Sequence, residues 1–393
     1  MIRFSGISKE LEAQVLRWQQ ELHTIPEVGF QEFETTEYLK KVLEVLDGVQ
    51  ISQPTPTGLV AELKGGKPGK TVAYRTDIDA LPITEAENHE VRSIHEGVMH
   101  ACGHDGHMSM ALGALYYLHS IREELNGNIR FIFQPGEECP PGGASKMIEV
   151  GALEGVSAII GCHLESREEP GRVCIIHGAM LASTSTFTIR IHGRGGHAAS
   201  PHLTIDPIVI GAQIVSALQS VVSRRVNPLD RVVVSVTQFH AGAVDNVIAD
   251  EAMLGGTVRI LDNGPDYEHL IPRWMEETVK GIAEAYGATC DFVYEDDYQG
   301  LKNDDAIADL IEKAAVEAVG REWVFTGTPN MAGDDMGNYL RKIPGCYYVV
   351  GCRVVEDGEV YPNHHARFLI DPASLPVGTN VAINALLHLL QEV

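Results

Sequence analysis

Several short segments carry residue types that bind divalent metals or move protons. In MHACGHDGHMSM, Cys102 and His104 flank one glycine just before a helix expected to start near Asp105, so both side chains can reach one ion. Thiolate plus imidazole suits zinc, and the ligand types also admit nickel, cobalt or manganese. The plainer reading of a lone C-x-H is a buried thiol beside helix-capping histidines. His107, three residues after His104, shares that helix face and fits a supporting role. In FIFQPGEECP an apolar strand ends at Gln134 and delivers Glu137 and Glu138 into a Pro- and Gly-rich loop. Adjacent carboxylates there divide naturally, one binding metal and the other serving as a base toward metal-activated water. A solvated acidic loop is the competing reading. The apolar strand SAIIGCHLE ends in His163, and TVAYRTDIDALP sends Asp77 and Asp79 out of a third β-rich run. Three strands that finish in metal-type or acid-type residues argue for one shared centre, because open α/β sheets place their sites at such ends.

Two further segments are weaker when taken alone. GRGGHAASPH sets His197 and His202 among glycines on a loop, where a histidine could stabilise a tetrahedral oxyanion. YPNHHARFLID places His364 and His365 just before the closing helix. A G-x-S-x-G nucleophile elbow is absent, and a nucleophilic Cys102 would compete with its role as a thiolate ligand.

The elements that must position these residues read as an α/β protein. Residues 8 to 24 and 32 to 46 form a helical pair, followed by strands GLVAEL and TVAYRTD, a helix from about Asp105, and strands NIRFIFQP and SAIIGCH. This alternation predicts a mostly parallel mixed sheet covered on both faces. From about Ser183 to Glu295 the order becomes βαββαβ, the split pattern of a ferredoxin-like α+β domain. After Asn303 a helix, the strand CYYVVGC and a last helix can complete the first sheet. The expected division is therefore residues 1–182 with 296–393 as one domain and 183–295 as an insertion.

At 393 residues the chain exceeds one domain of roughly 100 to 200 residues. Its 44% apolar and 21% charged composition is that of an ordinary globular protein. A net charge of -24 argues against nucleic acid, whose phosphates require clustered Lys and Arg. The opening MIRFSGISKELEAQVLRW lacks a signal-peptide core, and no stretch approaches the ~20 apolar residues of a bilayer span. A cytoplasmic location without membrane partners is the expectation. Seven cysteines, odd in number and irregularly spaced, do not form a disulfide framework.

MHACGHDGH, the Gly136–Glu138 GEE, His163, GRGGHAASPH, VDNVIAD with GGTVR, and NHHARF together resemble the metal-dependent aminoacylase and amidohydrolase branch of a large metallopeptidase family. Hippurate hydrolases, N-acetyl-diaminopimelate deacetylases and indole-acetyl-amino-acid hydrolases belong to that branch. The similarity runs from LHTIPEVGFQE to the end. It implies a zinc-peptidase-like catalytic domain with an inserted lid or dimerisation domain. It also implies two divalent ions held by Cys102, His104, Glu138, His163 and His364, with His365 in reserve, and Glu137 as general base. Asp79 would orient a metal ligand, and His197 would stabilise the oxyanion, lent in dimeric members to the other subunit's site. Asn246, Arg259 and His202 would face the substrate. The implied substrate is an N-acyl amino acid, with a peptide-cleaving carboxypeptidase or dipeptidase as the rival enzyme and a non-catalytic metal-binding protein as the rival class. Ala366 in place of the family's proline, Gly333-Asp334-Asp335-Met336 in place of Gly-Glu-Asp-Phe, and Ala249 in place of proline depart from the pattern without touching an implied ligand.

Overall fold

The computed structural model describes residues 4–87, 89–261 and 266–392, which form two compact units. The first comprises residues up to Gly178, Leu301–Thr328 and the segment from Asp335 onward; the second comprises Ala179–Gly300 with Pro329–Asp334.

The first unit is organised by an eight-stranded sheet. Its strand order is Val49–Ser52, Leu59–Lys64, Asn126–Gln134, Lys67–Asp77, Val156–Glu165, Gly345–Gly351, Val173–Ile175 and Val324–Thr326. The four central strands, from Asn126–Gln134 to Gly345–Gly351, run parallel; the pairings that flank them are antiparallel, and the outermost pair, Val173–Ile175 with Val324–Thr326, is parallel again. The parallel strands are buried on both faces, which accounts for their near-continuous apolar runs. Helix Lys9–His23 begins where the Ser8 side chain accepts the Leu11 N–H, and buries Val15, Trp18 and Leu22 at helical spacing. Helix His104–Ser120 and the last helix, Ser374–Glu392, are buried on nearly every side. They read as apolar all round because they lie inside the unit.

The short strands Val49–Ser52, Val173–Ile175 and Val324–Thr326 were not anticipated, since three or four residues are too few to display a period of two. His163 also lies two residues before the end of its strand rather than at the end, because pairing with Gly345–Gly351 continues to Glu165.

Beneath the carboxyl ends of the central strands sits a buried charged network. Arg75, 1% exposed, donates to Asp77 Oδ2 at 2.8 Å, Asp335 Oδ1 at 2.7 Å and Gln134 Oε1 at 2.9 Å. Asp335 Oδ2 in turn accepts from Gln134 Nε2 and from the Ala144 N–H. One guanidinium thus joins two adjacent strands to the segment that starts at Asp335.

The second unit follows the expected βαββαβ order: Ser183–His192, Pro207–Arg225, Arg231–Ala241, Glu251–Leu261, Tyr267–Ala285 and Thr289–Tyr298. Its four-stranded sheet is antiparallel throughout, in the order Arg231–Ala241, Glu251–Leu261, Ser183–His192, Thr289–Tyr298. Ile189, Ile191, Leu254 and Val258 face both helices in one core. Among the described residues, helix Pro207–Arg225 alone reaches the length and mean hydropathy of a membrane span. Gln213, Ser216, Gln219 and Ser220 interrupt its apolar run, and Ile210, Ile214, Leu218 and Val221 are buried in the unit's core.

Arg75→Met should destabilise the first unit by about 3–5 kcal/mol, because it strands two buried carboxylates without their cation. Urea unfolding measures this, and a loss below about 1 kcal/mol would contradict the role given to the network.

Candidate metal centre

The turn carrying Cys102 and His104 depends on Gly103, whose φ of +88° is a left-handed conformation costly for other residues. His104 is the first residue of its helix, one earlier than expected. Its Nδ1–H donates to the Asp79 carbonyl at 2.8 Å, with Asp79 Oδ1 3.3 Å away, so Nε2 faces the interior of the site. That buried Nε2 has no hydrogen-bond partner. An unsatisfied buried acceptor is costly unless an ion or water completes it.

Asp79 Oδ2 also accepts the Glu138 N–H at 2.8 Å, binding the carboxylate loop to the histidine. Gly136, at φ +64°, turns the chain directly before Glu137, and its N–H donates to Glu32. A Cβ there would meet the Phe30 ring at 2.5 Å, so glycine is required twice over. Glu137 Oε2 stands 4.0 Å from His104 Nε2. Glu138 Oε1 stands 3.0 Å from His364 Nε2, and Cys102 Sγ lies 3.4 Å from His163 Nε2.

His364 adopts φ +68°, a strained value for a residue with a side chain, and its N–H donates to the Ala101 carbonyl at 2.7 Å. His365 is turned elsewhere: its ring stacks on Tyr361 and its Nδ1 accepts the Arg367 N–H. His107 is committed through both nitrogens, donating from Nδ1 to Asp77 Oδ1 at 2.7 Å and accepting the Leu164 N–H at Nε2. It therefore supports the strand that carries His163.

Ligand atoms of three overlapping sets lie within 4.8 Å of one another: Cys102 with His104 and His163, Cys102 with Glu138 and His364, and His104 with Glu137 and Glu138. Cys102 belongs to two sets and Glu138 to two. The electrostatics call for a cation. Burial, followed by Glu138, Glu137 and Asp77, pushes the Cys102 thiol well above its ordinary range. Only a positive charge close to the sulfur would make it a thiolate there. Burial opposes a charge on His104, but Asp77, Asp79 and Glu138 outweigh it and lift its pKa to about 10. Burial likewise opposes the Glu138 carboxylate, and the His364 contact followed by His104 holds its pKa below the usual value. Desolvation followed by His107 keeps the His163 ring neutral, the form that binds metal.

Asn363 was not singled out from the sequence, although it immediately precedes the histidine pair. Its Nδ2 donates to the Cys102 and Leu164 carbonyls, and its Oδ1 accepts the Ser166 N–H, joining the cysteine turn, the His163 strand and the last motif.

The remaining predicted residues lie in the second unit. His197 pairs with Val247 in a two-stranded ribbon rather than lying on a plain loop, and Ala198 N–H donates to the Asn246 carbonyl. The His197 Nδ1 accepts the Ala199 N–H at 3.0 Å, which leaves the ring proton on an exposed Nε2. His202 is exposed on the short turn Pro201–Leu203. Arg259 follows Val258 on a central strand and so faces away from the helices.

A thiolate-type sulfur, imidazoles and paired carboxylates gathered at the ends of parallel strands define a hydrolase built around divalent cations. Residues 73–388 match peptidase family M20/M25/M40, and the chain belongs to that family. An N-acyl-L-amino acid amidohydrolase of Geobacillus stearothermophilus is 46% identical over 296 residues, 75% of this chain and 80% of its own. Thermostable carboxypeptidase 2 of Saccharolobus solfataricus is 37% identical over 374 residues, 94% of each chain. The crystal structure of a dinuclear metal-binding M20 peptidase from Bacillus subtilis superposes with a TM-score of 0.84 at 34% identity, over 98% of this chain and 100% of its own.

Cys102→Ser should lower bound metal per chain after loading and desalting, as measured by plasma mass spectrometry. Full retention would assign the cysteine to packing alone.

Proposed function

We propose that the chain is a two-metal amidohydrolase that removes the acyl group from N-acyl amino acids. The observation that carries this is Glu137 standing beside Glu138 against His104 Nε2: a metal-storage site has no use for a second carboxylate held as a base. Likeness to an N-acyl-L-amino acid amidohydrolase supports the substrate class. Cleavage of peptide bonds, as in a carboxypeptidase, is the second reading, favoured by likeness to the thermostable carboxypeptidase.

Cys102, His104, Glu138, His163 and His364 would hold the two ions, with the Cys102 sulfur shared between ligand sets. Zinc, manganese, nickel and cobalt all suit this mixture of donors. When bound, the ions supply Lewis acidity toward water and the amide carbonyl. Glu137 takes the proton from the attacking water and returns it to the departing amine nitrogen. Asp79 keeps His104 in the tautomer that offers Nε2. His197 donates its Nε2–H to the oxygen that gains negative charge. Arg259, Asn246 and His202 engage the carboxylate end of the substrate.

The first unit thus serves as the catalytic domain and the second as a lid and dimerisation domain through which a second copy supplies His197. A cytoplasmic setting is supported by seven cysteines that are all free.

Glu137→Gln should keep its metal and lose about 10²–10⁴-fold in hydrolysis of acetyl, benzoyl or indole-acetyl amino acids. Near-parent turnover with metal retained would remove the base assignment. Mixed dimers of Glu137→Gln with His197→Ala should regain part of the parent rate, and no rescue in verified heterodimers would confine each site to one chain.

A further inference from the structure

A second cluster in the first unit shares no side chain with the catalytic set. His23, the last residue of helix Lys9–His23, meets Glu85 and His89 from the segment that precedes Cys102; the three residues are 7%, 9% and 6% exposed. Glu85 Oε1 lies 2.9 Å from His23 Nε2 and 3.1 Å from His89 Nδ1, and the three atoms all fall within 4.8 Å of one another. The two imidazole rings are stacked, 5.6 Å between centroids.

The outward atom of each side chain is already occupied. His23 Nδ1 faces Asp105 Oδ2 at 2.7 Å, and that oxygen is held by Gln19 Nε2. His89 Nε2 faces the Ala366 carbonyl at 3.3 Å. Glu85 Oε2 accepts the Ser93 N–H at 2.6 Å. Each imidazole thus gives its distal N–H to a carboxylate or a carbonyl, the arrangement that orients histidines bound to metal. Both rings then have oxygen acceptors at both nitrogens. Hydrogen bonding alone satisfies His23 only as a doubly protonated ring between Asp105 and Glu85, and sets His89 Nδ1 against the same Glu85 oxygen. One dication replaces both inner protons and leaves each ring a single N–H for its distal partner. Ligand atoms about 3 Å apart match bonds of about 2.0–2.2 Å to one ion.

We propose that His23 Nε2, Glu85 Oε1 and His89 Nδ1 form a third divalent-cation site, distinct from the catalytic pair, with water completing the coordination. Two imidazoles and a carboxylate suit zinc above calcium or magnesium. The ion fastens the end of helix Lys9–His23 to the segment leading to Cys102. Through Asp105 it also reaches the first turn of the His104 helix, and through Ala366 the segment that carries His364. Its role is to order the loops of the catalytic centre, without contact with substrate.

The test counts ions in the full-length protein after zinc loading and desalting. The parent should hold three per chain and His89→Ala two, with His89→Gln alongside as a milder change. A second pair of measurements does not depend on the function proposed above. In Cys102→Ala/His163→Ala, which cripples the catalytic centre, one zinc should remain and should raise the thermal midpoint. Adding His89→Ala to that background should abolish both the ion and the shift. Equal zinc content with and without His89, in either background, overturns the site. If the catalytic pair itself were absent, the parent would hold one zinc and His89→Ala none, so the two ideas fail separately.

Discussion

A single buried carboxylate sets the geometry of the centre. Asp77 is 1% exposed, yet it accepts from the Arg75 guanidinium on one oxygen and from His107 on the other. Burial works to neutralise it, but His104, His107 and Arg75 keep its pKa well below the usual carboxylate range. An ionised carboxylate inside a protein must have such partners, and these tie it to the neighbouring strand through Gln134, to the segment at Asp335 and to the strand of His163 through the Leu164 N–H. Metal ligands must hold their distances to about 0.2 Å, a tolerance that loops alone do not provide. Asp77 transfers the rigidity of the parallel sheet to the loops that carry the proposed ligands.

The loops add their own constraints above that base. Gly103 and Gly136 adopt left-handed backbone on either side of the site, and His364 does so despite its side chain. Asp79 and Asn363 then bind separate segments to one another, Asp79 through its carbonyl and its Oδ2, Asn363 through its amide. Strain at His364 is offset by its hydrogen bond to Ala101 and by the placement of its ring against Glu138.

Much of this was legible in the sequence because the strands announce themselves. Long apolar runs finishing in Asp77, Gln134 and His163 identify both the parallel sheet and the edge where chemistry collects. The βαββαβ order of the second unit is legible for a similar reason, as its strands of ten or eleven residues display alternation clearly. What escaped was non-local. Nothing near Arg75 in sequence shows that it pairs with Asp335, 260 residues away. The His23, Glu85 and His89 cluster joins two distant segments, and each member alone reads as an ordinary polar residue. Strands of three or four residues are defined by their partners rather than by their own pattern.

The most direct test of the central claim is anomalous X-ray scattering from crystals of the metal-loaded protein, recorded at the absorption edge of the loaded metal. The account predicts two peaks about 3.5–4 Å apart, bounded by Cys102, His104, Glu138, His163 and His364, with Glu137 adjacent. A single peak in that space, or two peaks that leave His364 or Cys102 uncoordinated, would contradict it.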